Sequence, residues 1–142
     1  MLVLDTNVLS ALMQAEPERS VIRWLDLQPA ESVWTTTITV FEIQYGLEIL
    51  PKSKRRKRLE DLFERVLQEG LGQRVLSFDA SAAQCAAILA AKRHRTGHVV
   101  DFRDTLIAGI AIARRAKIIT RNTRHFDDLD IDVINPWKVE KI

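Results

Sequence analysis

The chain has 142 residues, 46% of them hydrophobic and 28% charged, with a net charge of +2. At this length about 70% of the unfolded surface can be buried, so one domain spanning residues 1–142 folds without a disulfide or metal staple. The composition is that of an ordinary globular domain, and it excludes low-complexity and strongly charged disordered classes.

The single cysteine, Cys85, rules out an internal disulfide and reads as a small buried residue on a helix. No apolar run approaches the ~18 residues of a membrane span. Asp5 interrupts an N-terminus that has no basic stretch, which argues against a signal peptide. The expected location is the cytoplasm. Net charge alone says nothing about nucleic acid, but its distribution is uneven. Lys52–Arg58 holds six basic residues in seven positions, and Lys92–Arg95 and Arg114–Lys117 form two further clusters. These serve either as solvated helix ends or as a nucleic-acid surface.

In chain order, Met1–Leu4 reads as a buried strand and Asp5-Thr6-Asn7 leads into a helix through about Met13, capped by Thr6 or Asn7. Pro17 and Glu18 open a second helix with Val21, Ile22, Trp24 and Leu25 inward. Ser32–Thr36 is a second strand, followed by a helix over Thr39–Leu50. A long amphipathic helix runs from Ser53 to Glu69 and ends at Gly70 and Gly72. Arg74–Phe78 is a third strand. Ser81–Arg95 is an Ala-rich helix closed by Gly97, and Asp101–Arg115 is a helix apolar on nearly all sides, hence central. Lys117–Thr120 and Asp132–Ile134 complete about five strands. Continuous apolar strands separated by helices predict an α/β domain with a parallel sheet covered on both faces.

Ligands of such sheets bind beyond the carboxyl ends of the strands. Asp5 follows the first strand, Glu42 lies in the first turn of the helix after the second, and Asp104 opens the central helix. Each has a local alternative. Asp5 can serve as a turn or cap, Thr39-Val40-Phe41-Glu42 is a capping box, and Asp101 and Asp104 suit a helix N-terminus. Gathered at one edge, three carboxylates repel one another unless a cation neutralises them. Hard oxygen ligands select Mg²⁺ or Mn²⁺. Asp101 shares a helix face with Asp104, and capping is the preferred reading of it over a fourth ligand.

Glycine-rich phosphate loops are absent. His94 and His98 are separated by Gly97, which argues against a zinc pair on one helix face. His125 reads as a surface residue.

Leu2-Val3-Leu4-Asp5-Thr6-Asn7-Val8-Leu9-Ser10 resembles the opening of PIN-domain proteins, specifically the VapC toxins of toxin–antitoxin pairs. Thr37–Gly46, Asp104–Ala108 and Thr120–Phe126 keep the family's order and spacing, and Asn135-Pro136-Trp137 is similar to the subgroup containing FitB. The resemblance covers essentially the whole chain. It implies a three-layer α/β/α PIN-like fold, an acidic Mg²⁺ or Mn²⁺ site, endoribonuclease activity on RNA, homodimers and a cognate VapB-like antitoxin. By the same resemblance Asp5, Glu42 and Asp104 match the family acids, and Thr6 matches a supporting hydroxyl. Asn122 departs from the Asp of many relatives, which puts a second metal in question. Asp127 and Asp128 stand nearby in sequence and are assigned no role.

Two rivals remain at this stage. A haloacid-dehalogenase-type phosphatase would use Asp5 as nucleophile but needs an acid where Asn7 stands. A PIN-like module that binds RNA or a partner without cutting is the other.

Overall fold

The computed structural model describes residues 1–138, so the last four residues of the expected domain lie outside the described residues. β1 (Leu2–Leu4), β2 (Val33–Thr36), β3 (Val75–Leu76), β4 (Lys117–Ile119) and β5 (Val133–Ile134) form one sheet in the order β3-β2-β1-β4-β5. Every neighbouring pair is parallel. The helices are α1 (Thr6–Leu12), α2 (Arg19–Asp26), α3 (Thr37–Glu48), α4 (Lys54–Arg65), α5 (Ala80–Thr96) and α6 (Phe102–Arg114).

Successive side chains of a strand face opposite sides of the sheet, and here both sides are apolar. Leu2, Leu4 and Ile119 pack with Val8 and Leu9 of α1, Val21 and Trp24 of α2, and Phe63 of α4. Val3 and Ile118 face the other way, onto Leu89 of α5 and Ile107 and Ile110 of α6. This is the predicted three-layer α/β/α arrangement. Each fully buried aliphatic side chain of this kind contributes about 1.5–3 kcal/mol.

α6 is central, as its composition predicts, and α5 lies close against it at Gly109. A Cβ there would stand 2.6 Å from Ala86 Cβ and 2.7 Å from the Ala82 carbonyl. The buried stripe of α5 is Ala82, Ala86 and Leu89, which leaves Cys85 only partly buried rather than fully so. Gly97 ends α5 with φ 68°, in the left-handed region a helix C-cap requires.

Several boundaries differ from the periodicity reading. The helix expected over Ser53–Glu69 is α-helical only to Arg65 and continues as a π-helical turn over Val66–Gly70. β3 is two residues long instead of five. Its neighbour Arg74 donates from Nε to the Val33 carbonyl, so a side chain pairs at the sheet edge as well as the backbone.

The strand order fixes where a site can form. From β1 the chain winds to β2 and β3 on one side, then returns to place β4 and β5 on the other. The switch point therefore lies between β1 and β4, where a crevice opens beyond the strand ends. Leu4 pairs with Ile119 in register, and the next amide, Asp5 N–H, donates to the Ile119 carbonyl at 2.9 Å.

Candidate metal centre

Asp5 is the last extended residue before α1 and is 3% exposed. Its Oδ1 accepts from the Thr6 amide at 2.8 Å, so Asp5 itself caps α1 in place of Thr6 or Asn7. The chain passes from strand to helix with Asp5 alone between them, which leaves only its side chain in reach. Oδ2 accepts from Thr120 Oγ1 at 2.8 Å and from Asn7 Nδ2 at 3.3 Å. Asn7 in turn donates to Thr120 Oγ1 and accepts the Arg121 amide, tying the ends of β1 and β4 together.

Glu42 has no capping role. Thr36 caps α3, accepting the Thr39 amide at 3.2 Å, so the helix begins two residues before the expected Thr39 and Glu42 falls in its second turn. A strand-end threonine with extended backbone outcompetes the T-x-x-E pattern downstream of it. Glu42 Oε1 instead accepts from Thr6 Oγ1 at 3.1 Å, and Thr6 Oγ1 lies 3.1 Å from Thr39 Oγ1. Since Thr6 has one hydroxyl proton and gives it to Glu42, the buried Thr39 hydroxyl donates to Thr6.

Asp104 sits in the first turn of α6, and Asp101 caps that helix by accepting the Arg103 amide at 2.8 Å. Asp104 Oδ2 lies 2.8 Å from His125 Nδ1. The ring expected to be a surface residue is half-exposed and holds a site carboxylate. Arg103 reaches Glu42 Oε2 at 3.8 Å.

These elements open onto one cavity of about 650 Å³ at the switch point, lined by Asp5, Thr6, Glu42, Asp104 and Asn122 among others. Burial pushes the Asp5 carboxyl above its ordinary range, hydrogen bonds from Thr120 and Thr6 pull it back, and the charge on Asp104 raises it again. Burial likewise raises Glu42, against the Thr6 bond and the Arg103 charge, with Asp5 and Asp104 adding to the rise. Asp104 is raised first by burial, while His125 lowers it. Partly desolvated, mutually repelling carboxylates with oxygens open to a cavity are the donor chemistry of a hard divalent cation. The residues therefore fit such an ion, with Asp5, Glu42 and Asp104 able to hold it and the Asn122 amide able to add a neutral donor.

A second cluster, His98, Asp127 and Asp128, brings one ligand atom from each within 4.8 Å. It is already served by a cation. Arg93, 3% exposed, binds Asp128 through Nε at 2.9 Å and Nη2 at 2.8 Å. Its other donors reach Thr105 Oγ1 and the His125 carbonyl, both at 2.8 Å. Arg93 was grouped by sequence with a basic surface run; it is a buried clamp joining α5, α6 and the 3-10 turn Thr123–Phe126. Arg56 of the first basic run is similarly engaged, by Glu48 and Glu60, while Lys54, Lys57, Arg58 and Arg65 line an open surface groove.

Sequence reasoning missed Thr120, Thr39, His125 and Arg93 as supports of the site. Thr39, Thr120 and His125 carried a signal, through their places in the segments Thr37–Gly46 and Thr120–Phe126, and Arg93 carried none. No helix among the described residues is long and apolar enough to cross a membrane.

Comparison with known proteins places this geometry. The family profile described as PIN domain matches residues 2–132. VapC ribonuclease Y4jK of Sinorhizobium fredii is 40% identical over 97% of this chain and 99% of its own length. The tRNA(fMet)-specific endonuclease VapC of Shigella flexneri is 32% identical over 88% of this chain and 89% of its own. Among solved structures, FitAcB from Neisseria gonorrhoeae superposes with a TM-score of 0.87 at 31% identity, covering 98% of this chain and all of that one. A five-stranded parallel sheet with carboxylates at its switch point and full-length similarity to these proteins lead to one assignment: the chain belongs to the PIN-domain family, alongside its VapC and FitB members.

Proposed function

We propose that this chain is a divalent-metal-dependent endoribonuclease, hydrolysing RNA phosphodiester bonds as the toxin of a toxin–antitoxin pair. The observation that carries the reading is the convergence of Asp5, Glu42 and Asp104 on one cavity at the β1/β4 switch point. The VapC ribonuclease and endonuclease names of its relatives support it, as does the likeness to FitAcB.

Asp5 and Asp104 would hold Mg²⁺, or Mn²⁺ in its place, and Glu42 would bind it directly or through water. Mg²⁺ keeps several waters, so the three acids need not all touch it. Bound divalent metal lowers the pKa of a coordinated water and offsets charge on the attacked phosphate. The protein's own part is orientation. Thr120 and Asn7 fix Asp5, Thr6 fixes Glu42, His125 fixes Asp104, and the remaining carboxylate lone pairs are left for the cavity. Cleavage leaves a 5′-phosphate and a 3′-hydroxyl. Asn122 brings an amide and no charge, which favours one resident ion over two.

Residues 1–142 form one domain that acts in the cytoplasm as a homodimer and is held in check by a cognate VapB-like antitoxin. The phosphatase alternative is disfavoured at Asn7, whose amide is committed to Asp5, Thr120 and the Arg121 amide where an acid–base group would have to stand.

Asp5→Asn tests the reading. RNA cleavage in Mg²⁺ should fall to background while circular dichroism stays unchanged. Cleavage at the parent rate by a folded Asp5→Asn protein, or RNA binding by the parent with no cleavage in either metal, would overturn it.

A further inference from the structure

The cavity that holds the carboxylates presents a problem for an RNA substrate. Five acidic side chains line it, Asp5, Glu16, Glu18, Glu42 and Asp104. Even with an ion bound, such a wall repels a polyanion unless some cation faces it. Among the described residues lining the cavity, that cation is Arg121 alone.

Arg121 immediately precedes Asn122 at the end of β4, and its backbone is anchored by the bond from its amide to Asn7 Oδ1 at 3.1 Å. Its guanidinium, by contrast, donates to no protein group among the described residues. It lies over the ring of Trp137, with Cζ 5.2 Å from the ring centroid. Trp137 lines the same cavity and is itself partly buried against the core on this side of the sheet, so the indole is a supported platform. A cation–π contact keeps the guanidinium beside the ring. The result is a planar cation, seated over an indole, whose five N–H donors meet no partner among the described residues.

A guanidinium in that state offers two recognition surfaces at once. Its edge matches phosphate oxygens in bidentate fashion. Its face stacks with nucleobases, as single-stranded RNA requires.

We propose that Arg121 backed by Trp137 is a nucleotide subsite of this cavity, binding the phosphate of a residue flanking the scissile bond on its edge and that residue's base on its open face. The proposal rests on the ribonuclease reading above and names how the substrate would be seated. Arg121 is the contact group; Trp137 is a positioning residue.

The test is binding of a fluorescently labelled single-stranded RNA, followed by anisotropy in the Asp104→Asn background so that nothing is cut. Arg121→Ala should weaken binding about five- to a hundred-fold and lower the salt slope by about one. Arg121→Lys keeps a charge without a plane. It should retain the salt slope yet lose the distinction between intact RNA and the same RNA carrying an abasic site at the flanking nucleotide. Trp137→Ala should weaken binding and Trp137→Phe should restore it, with thermal midpoints confirming that both remain folded. In otherwise unaltered protein, the Arg121 and Trp137→Ala variants should raise KM more than they lower kcat. Parent-like affinity in Arg121→Ala, or an abasic effect undiminished in Arg121→Lys, would overturn the subsite while leaving the nuclease reading intact. Absence of RNA binding by the parent would overturn both.

Discussion

Replacing Arg93 with Met removes the charge while leaving an unbranched stem to fill the space. Four hydrogen bonds disappear with it: two to Asp128, one to Thr105 Oγ1 and one to the His125 carbonyl. Deleting one partner of a buried pair costs about 3–5 kcal/mol, because the other charge is left behind in a poor solvent. Asp128 keeps 20% of its side-chain exposure, so water compensates part of that loss. The expected cost is therefore near the lower end, about 3 kcal/mol. For a chain of this size that lowers the thermal midpoint by roughly 10 °C. Urea unfolding followed by circular dichroism measures it, and a double-mutant cycle with Asp128→Ala isolates the pair. The loss should be markedly smaller in the Asp128→Ala background. A cost under about 1 kcal/mol, or the same cost in both backgrounds, would refute the clamp. Activity should also fall below the midpoint, since Arg93 bonds to the residue after Asp104 and to the backbone of His125.

Three further outcomes follow from the same geometry. Asp5, Glu42 and Asp104 are all raised in the fold, so without metal the folded state holds protons that the unfolded state releases. Their contribution to stability is greatest below the unfolded carboxylate range and is lost as pH rises through the raised folded values. A divalent ion reverses that loss: thermal midpoints with and without Mn²⁺ should separate at neutral pH, by the equivalent of about 2.7 kcal/mol at a hundredfold excess over Kd, and coincide near pH 4. An equal shift at both pH values would show that the ion binds elsewhere. Gly109→Ala should cost about 1–3 kcal/mol by overpacking, and adding Ala86→Gly should recover only part, because the Ala82 carbonyl remains 2.7 Å from the new Cβ; a neutral result in urea unfolding would mean α5 and α6 separate easily. His125→Ala should weaken Mn²⁺ binding about 10–100-fold through a freed Asp104 carboxylate, whereas Asn, whose amide can take the place of Nδ1–H, should retain it. Identical affinities in calorimetry would remove His125 from the site.

What could be read from the chain was what repeats locally. Apolar strands such as Leu2–Leu4 and Ile118–Ile119, separated by helical periodicity, specify a covered parallel sheet without any knowledge of contacts. Asp5 and Glu42 were legible because they follow β1 and β2, and strand ends are where an α/β sheet opens, while Asp104 was legible as an acid opening the central helix. Boundaries were less legible where two local signals competed. Thr36 and Thr39 are both fair caps for α3, and the choice between them decided whether Glu42 serves the backbone or the cavity.

By itself the sequence determined the layers, the placement of Asp5 and Glu42 after the first two strands and of Asp104 at the start of the central helix, and the family to which the chain belongs. The tertiary structure alone decided which polar groups meet. Thr120 reaches Asp5 across 115 positions of chain because parallel β1 and β4 end side by side, and Thr6 reaches Glu42 across 36 because β1 and β2 do so too. Arg93 shows the same limit most plainly. In a run of basic residues it carries no mark of burial, and it becomes a clamp only when α5, α6 and the turn after β4 close around it. Local propensity acts over a few residues, whereas a buried hydrogen bond is selected by whatever the fold brings within 3 Å.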